Sequence, residues 1–280
     1  MQRPLALTLL LTAFAGPGFA QSTAAPEAAA ASALTGNVSL VSSYRFRGID
    51  QTFGKPALQG GFDYAHSSGV YVGNWNSNVS SGAGFPDGNL EMDFYGGYKT
   101  TLGDFGLDVG AILYYYPGSE ARVLGAGANS GAVNNKEIYL GASWKFLSAK
   151  YSYSVDDYFS LRGNGGNAGS STKGTHYVEL NANYDLGDGW GINGHVGRLN
   201  MKNVSGGDYT DWKIGVTKDI NGWIVAAAYV DSNAKGSCSR GQFYCFSNSN
   251  SDDGAGGVDL GSKFKDAGRG IAVISVSRSF

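Results

Sequence analysis

Side chains alternate across a β-strand with period two, so a run in which every second residue is apolar needs one face against an apolar medium and the other against a polar one. From Gly36 onward the chain is built almost wholly of such runs. Val38, Leu40, Tyr44 and Phe46 share one parity, opposite Ser39, Ser43, Arg45 and Arg47. Leu58, Phe62 and Tyr64 stand opposite Gln59 and Asp63, and Tyr71 and Trp75 opposite Asn74 and Asn76. Leu90, Met92, Phe94 and Tyr98 oppose Glu91, Asp93 and Lys99. The pattern continues through runs centred near residues 110, 141, 153, 181, 193, 214, 226 and 275, about twelve in all. About ten residues is what a tilted strand needs to cross a bilayer.

The connections between these runs alternate. Long segments (48–56, 80–89, 117–135, 160–174, 202–208 and 231–268) take turns with short ones (66–69, 100–104, near 147, 187–189 and 219–222). A soluble sandwich has no reason to keep that rhythm. A transmembrane barrel does, because its strands are joined by tight turns on one side and long loops on the other. The expected fold is therefore all-β, an antiparallel transmembrane β-barrel of about twelve strands over residues 36–280, with both chain ends on the side of the short turns.

The N-terminus agrees with an exported protein. Residues 1–20 have a positive start at Arg3, an apolar run and a small-x-small ending at Gly18-Phe19-Ala20, the signature of a cleaved signal peptide. Residues 21–35 are Ala-rich with Pro26 and are expected to be a disordered periplasmic tail, a short helix being the alternative. No later stretch reaches the roughly 18 consecutive apolar residues of a spanning helix. The chain is rich in Gly (44), Tyr (17) and Phe (14), and its formal charge of −2 speaks against nucleic acid as a partner. Its slightly polar mean hydropathy suits a barrel, which shows lipid only every second residue.

Two further signs concern membrane placement. Tyr64, Tyr98, Phe105, Trp144, Phe146, Tyr184, Trp190, Trp223 and Phe280 all fall beside the short turns on the expected lipid-facing parity, where an interfacial girdle belongs. The last strand, RGIAVISVSRSF, ends on Phe280 and so resembles the terminal strands of bacterial outer-membrane barrels, in which the last aromatic is read by the barrel-assembly machinery. Arg278 departs from that pattern, but an arginine near the rim can snorkel to headgroups.

The motif Ser42-x-Tyr44-Arg45-Phe46-Arg47-Gly48, followed by Pro56-Ala57-Leu58-Gln59-Gly60-Gly61-Phe62-Asp63-Tyr64 and Gly69-Val70-Tyr71-Val72-Gly73, resembles the TorF family of outer-membrane porins. Glu91-x-Asp93, Gly96-Gly97-Tyr98, Tyr114-Tyr115-Tyr116-Pro117-Gly118 and His195-Val196-Gly197 also fit. The resemblance implies passive diffusion of small solutes or ions across the outer membrane of a Gram-negative bacterium. Outer-membrane lipid is expected around the barrel, and no cofactor is expected. It implies no particular solute.

By parity and strand direction Arg45, Arg47, Asp63, Glu91, Asp93, Glu137, Asp156, Glu179, Asp211 and Lys213 are expected to line the pore. Inward charges fit either a water-filled channel or a salt-bridged plug. In the sharper reading Arg45 and Arg47 face the acidic group and set a selectivity field. A non-conducting structural or adhesin-like barrel is the alternative, and a lipid-modifying enzyme a more distant one: His66, His176 and His195 do not converge with a serine and a carboxylate by sequence logic, so no catalytic residue is expected. With an export signal, Cys238 and Cys245 are expected to form a local disulfide, two free thiols being the alternative, and neither has the partners of a zinc site. Asp252 and Asp253 lack calcium-loop spacing, and Gly163 to Gly166 has no following helix to cradle a phosphate. No metal site is expected.

Overall fold

The computed structural model describes residues 33–125, 127–128, 130–255 and 257–280. The expected signal peptide and the first twelve residues of the expected tail lie outside them. Twelve strands pair in chain order and close on themselves: β1 Leu34–Val41, β2 Ala57–Ala65, β3 Val70–Asn78, β4 Leu90–Leu102, β5 Phe105–Tyr115 and β6 Asn134–Trp144, then β7 Leu147–Ser154, β8 His176–Gly187, β9 Trp190–Asn200, β10 Tyr209–Ile220, β11 Trp223–Ser232 and β12 Ile271–Ser279. Every pairing is antiparallel. Closure leaves no strand edge unpaired, the condition for a sheet to sit in hydrocarbon. The seam is β1 against β12, where Phe280 and Gly36 exchange backbone hydrogen bonds of 2.9 and 2.7 Å.

The outer face carries the apolar parity. Leu40, Leu58, Phe62, Leu140, Ile214 and Ile274 are each more than half exposed, and so form a belt that only a non-aqueous medium would cover at no cost. The aromatics expected beside the short turns are all exposed, from Trp144 at 40% to Phe280 at 70%. Arg278 also lies outward, its guanidinium 5.3 Å from the centroid of the Trp223 ring, so its stem and plane are covered by an aromatic rather than by bare lipid.

Two expectations of facing fail. On β3, Tyr71 and Trp75 point inward and are buried, while Val70 and Val72 take the outer face with Asn74 and Asn76 behind them. The asparagines are tolerated there because they do not present free amides: Asn74 donates to the Asp93 carbonyl, Asn76 to the Gly60 carbonyl, and the two bond each other. Trp75 goes inward because Tyr44 offers it an edge-to-face contact at 5.5 Å. Tyr44 and Phe46 are likewise buried inside rather than lipid-facing. The first strand starts at Leu34 and stops at Val41, and the chain then leaves the wall and folds into the barrel mouth.

Candidate functional site

The segment that folds inward is a tight hairpin, Arg45–Phe46 against Ile49–Asp50. Its turn needs Gly48, which has φ 79° and lies so close to the wall that a Cβ would come within 2.6 Å of the Asp211 Cβ. Around it the long connections pack into one aromatic core: Phe46 meets Tyr114 and Phe159 edge-on at 5.5 and 5.7 Å, and Phe85 stacks on Tyr116 at 3.8 Å. The end of the barrel bearing the long loops is thus filled.

Two arginines hold the hairpin. Arg47 reaches Glu137 on β6 through both terminal nitrogens, at 3.0 and 2.7 Å, bonds the Tyr158 hydroxyl at 3.2 Å and lies over the Tyr177 ring at 4.4 Å. Burial would depress its pKa, but the Glu137 carboxylate outweighs burial and holds it raised. Burial pushes the Tyr158 hydroxyl up to about 12, so it stays neutral there. Arg45 donates to the carbonyls of Ala267 and Arg269 at 2.9 and 3.3 Å. Asp50, 3.8 Å from Arg45, is 2.5 Å from Lys265 and accepts from the backbone of Thr52 and Gly54. The hairpin is therefore clamped between β6 and the long final connection.

Toward the short-turn end the wall is polar and less densely packed. Lys150 pairs with Glu179 at 3.1 Å, and His195 lies 2.9 Å from Asp211 and 2.7 Å from Asn181. Tyr177 donates to Asp211 at 2.8 Å, Tyr95 to Asp63 and Tyr71 to Asp108, both at 2.6 Å. Lys99 sits 3.9 Å from Asp108 and 4.4 Å from the centre of the Tyr71 ring. The side chains of Lys99, Lys150, Glu179 and His195 keep 14–26% exposure and Lys213 is also partly exposed, unlike Glu91, Asp93, Glu137 and Asp211, which are at most 2% exposed. The hydroxyl nearest His195 is the phenol of Tyr177, bonded at 3.0 Å.

The structure thus brings Arg47, Glu137, Glu179 and Asp211 into one connected network on the inner wall. Lys213 joins it electrostatically through Glu179 and Asp211, while Asp63 and Glu91, which have other partners, and Asp93 lie on the same wall. Glu91 accepts from Tyr116 at 2.8 Å, whereas among the described residues no hydrogen bond reaches either oxygen of Asp93. Two of the expected pore residues belong elsewhere. Asp156 lies past the end of β7, about half exposed, paired with Lys136 at 2.9 Å on the loop side. Arg45 is buried against loop carbonyls rather than facing a wet lumen, so the pair of arginines does not form one selectivity face. Sequence reasoning passed over Asp50, Asp108 and Tyr158. Asp108 had the right parity opposite Leu107 and Val109; the other two lie in connections, where periodicity says nothing.

The final connection carries a disulfide between Cys238 and Cys245 and two small ribbons, Cys245–Ser247 with Phe264–Asp266 and Asn250–Asp252 with Val258–Leu260. Asp252 pairs with Arg122 and Asp253 accepts from the backbone of Ala255 and Gly257, so both carboxylates are engaged within the loops.

A family model described as a bacterial protein of unknown function, Gcw_chp, matches residues 25–251. No curated protein matches the sequence. Among solved structures the chain is similar to the KdgM porin, with 10% identity over 88% of this chain and 99% of that one at a TM-score of 0.48. It is also similar to KdgM in complex with disordered oligogalacturonate, with 9% identity over 88% and 98% at 0.46. The NanC porin matches with 9% identity over 89% and 99% at 0.47. These likenesses are distant, and the barrel description rests on this chain's own strand pairing.

Proposed function

The chain belongs to the Gcw_chp family of bacterial proteins of unknown function, and we propose that it is an outer-membrane porin whose external end is gated by the infolded hairpin. The observation that carries this reading is the contrast along one lumen. Below the hairpin, Lys99, Lys150, Glu179 and His195 keep 14–26% exposure and make a wall of both signs that water can wet; at the loop end, a fully buried ion pair and an aromatic core close the way. A barrel meant only as a structural element has no use for the charged stretch, since apolar packing would fill it at less desolvation cost.

Small solutes and ions would pass when the hairpin swings away from Glu137. The apolar outer belt and the aromatic girdle support residence in a bilayer, and the resemblance to the TorF family of outer-membrane porins supports the outer membrane in particular. The test is conductance of the purified protein in a planar bilayer. Discrete steps separated by long closed intervals are expected; silence from heat-modifiable, folded protein would favour a non-conducting structural or adhesin-like barrel instead.

A further inference from the structure

We infer that the cleft between the infolded hairpin and the long final connection is a binding site for a small, neutral aromatic molecule of one or two rings. The cleft has a volume of about 270 Å³. Its walls come from five separate stretches of chain, with Phe46, Phe85, Phe159, Leu199, Tyr244 and Phe246 among them. Among the described lining residues none is charged, and Gln51 and Asn250 are the amides present. Each unpaired polar group of a sugar or an ion buried there would cost about 1–3 kcal/mol, so the lining selects against the solutes that the charged wall farther down would accept.

Size and shape narrow the class. An apolar cavity of about 150 Å³ holds benzene, so roughly twice that volume has room for a second fused ring and little more. The rings around the cleft are fixed by mutual edge and face contacts, Phe46 on Phe159 at 5.7 Å and Phe243 on Tyr244 at 5.0 Å, so an aromatic guest would add to an existing herringbone without ordering it. The mouth is marked by Leu260 and Phe264, which line the cleft yet are 51% and 50% exposed on the loop side of the barrel. Two large apolar side chains left in water beside an apolar cleft form a short ramp into it. The site uses none of the lumen charges, but Phe46, Ile49 and Gln51 of the hairpin form one of its walls, so a bound guest would favour the closed hairpin.

The experiment is photolabelling of the protein in lipid nanodiscs with 3-trifluoromethyl-3-phenyldiazirine, followed by reduction, tryptic digestion and mass spectrometry of the peptide after Arg240 that ends at Lys263. Label is expected on Phe243, Tyr244 or Phe246 and should fall at least tenfold when naphthalene is added. Label on the belt residues Leu140 and Ile214, which would come from probe dissolved in lipid, should not fall by more than twofold. Leu161→Trp, which fills the cleft, should remove the first label and spare the second. If the cleft residues take no label, or their label falls no more than that of the belt residues, the assignment is overturned. The naphthalene comparison decides the matter in the unmodified protein even where the variant does not fold.

Discussion

Arg47 and Glu137, ninety positions apart in the chain, meet through two parallel hydrogen bonds of 3.0 and 2.7 Å while both are less than one-tenth exposed. Such a fork fixes orientation as well as distance, and it ties an otherwise mobile type of element, a two-residue ribbon in a long loop, to a barrel strand. Truncating one partner strands the other charge in a buried place, at a cost of about 3–5 kcal/mol. We expect Arg47→Ala to speed amide hydrogen exchange across residues 44–54 while leaving strands β4 to β11 protected. Equal protection of the hairpin in variant and parent would mean that the pair is not what holds it.

The seam gives a second prediction. A Cβ on Gly36 would come within 2.6 Å of the Phe280 ring, whose backbone it pairs with. Gly36→Val should therefore lower the yield of folded, heat-modifiable barrel several-fold, and deletion of Phe280 should do so while leaving export intact, if that residue is also the assembly signal. Full yield from either variant would argue that the last residue neither closes nor directs the barrel.

The disulfide acts locally. Cys238 and Cys245 are seven positions apart, and closing so short a loop is worth about 2.5 kcal/mol at most by chain entropy. The native protein should show no free thiol in non-reduced mass spectra. Reduction should raise exchange in residues 235–247 and leave the thermal midpoint of the barrel unchanged within about 2 °C, since the strand ladder does not include this loop. A large drop in the midpoint would contradict that separation.

A modest pH effect follows from Asp156. The hydrogen bond from Lys136, with another from the backbone of Asp157, holds its carboxyl below the usual carboxylate range. A carboxyl with a lower pKa in the folded than in the unfolded chain adds stability above the unfolded value, near pH 4, and loses it as pH falls through the folded one. Because both partners are about half exposed, the contribution at pH 7 should stay under about 1 kcal/mol. Asp156→Asn should flatten the loss of stability below about pH 4 and change little at neutrality; an unchanged acid limb would show that the pair does not form in solution.

What could be read from the chain beforehand divides along one line. Strand number, closure, the girdle from Tyr64 to Phe280 and the alternation of turns and loops were legible because a bilayer imposes period two and a length on each strand. Facing on β3 was not, because the period gives two sets and only the environment says which is outside; there the aromatic set is inside, Trp75 packing on Tyr44 of the infolded segment and Tyr71 bonding Asp108 on the barrel wall. The hairpin itself was read as a continuation of β1: Tyr44, Arg45, Phe46 and Arg47 alternate well, yet all four are buried. The left-handed Arg47, with φ 48°, and Gly48 turn the chain back, and of the two only the glycine leaves a trace in sequence. Asp156 was misplaced for the same reason, being two residues past the end of β7 at Ser154, where the strand's parity no longer applies.

Closure of the lumen by a hairpin that the Arg47–Glu137 pair retains can be read by single-channel recording of the parent and Arg47→Ala side by side. A loss of about 3–5 kcal/mol corresponds to at least a 100-fold shift in an equilibrium. The parent should stay closed for most of the record with rare discrete steps, and Arg47→Ala should show steps of similar size with an open fraction about 100-fold higher or saturated. Equal open fractions in both proteins, or no steps in either while both are folded, would mean that the hairpin does not gate the lumen.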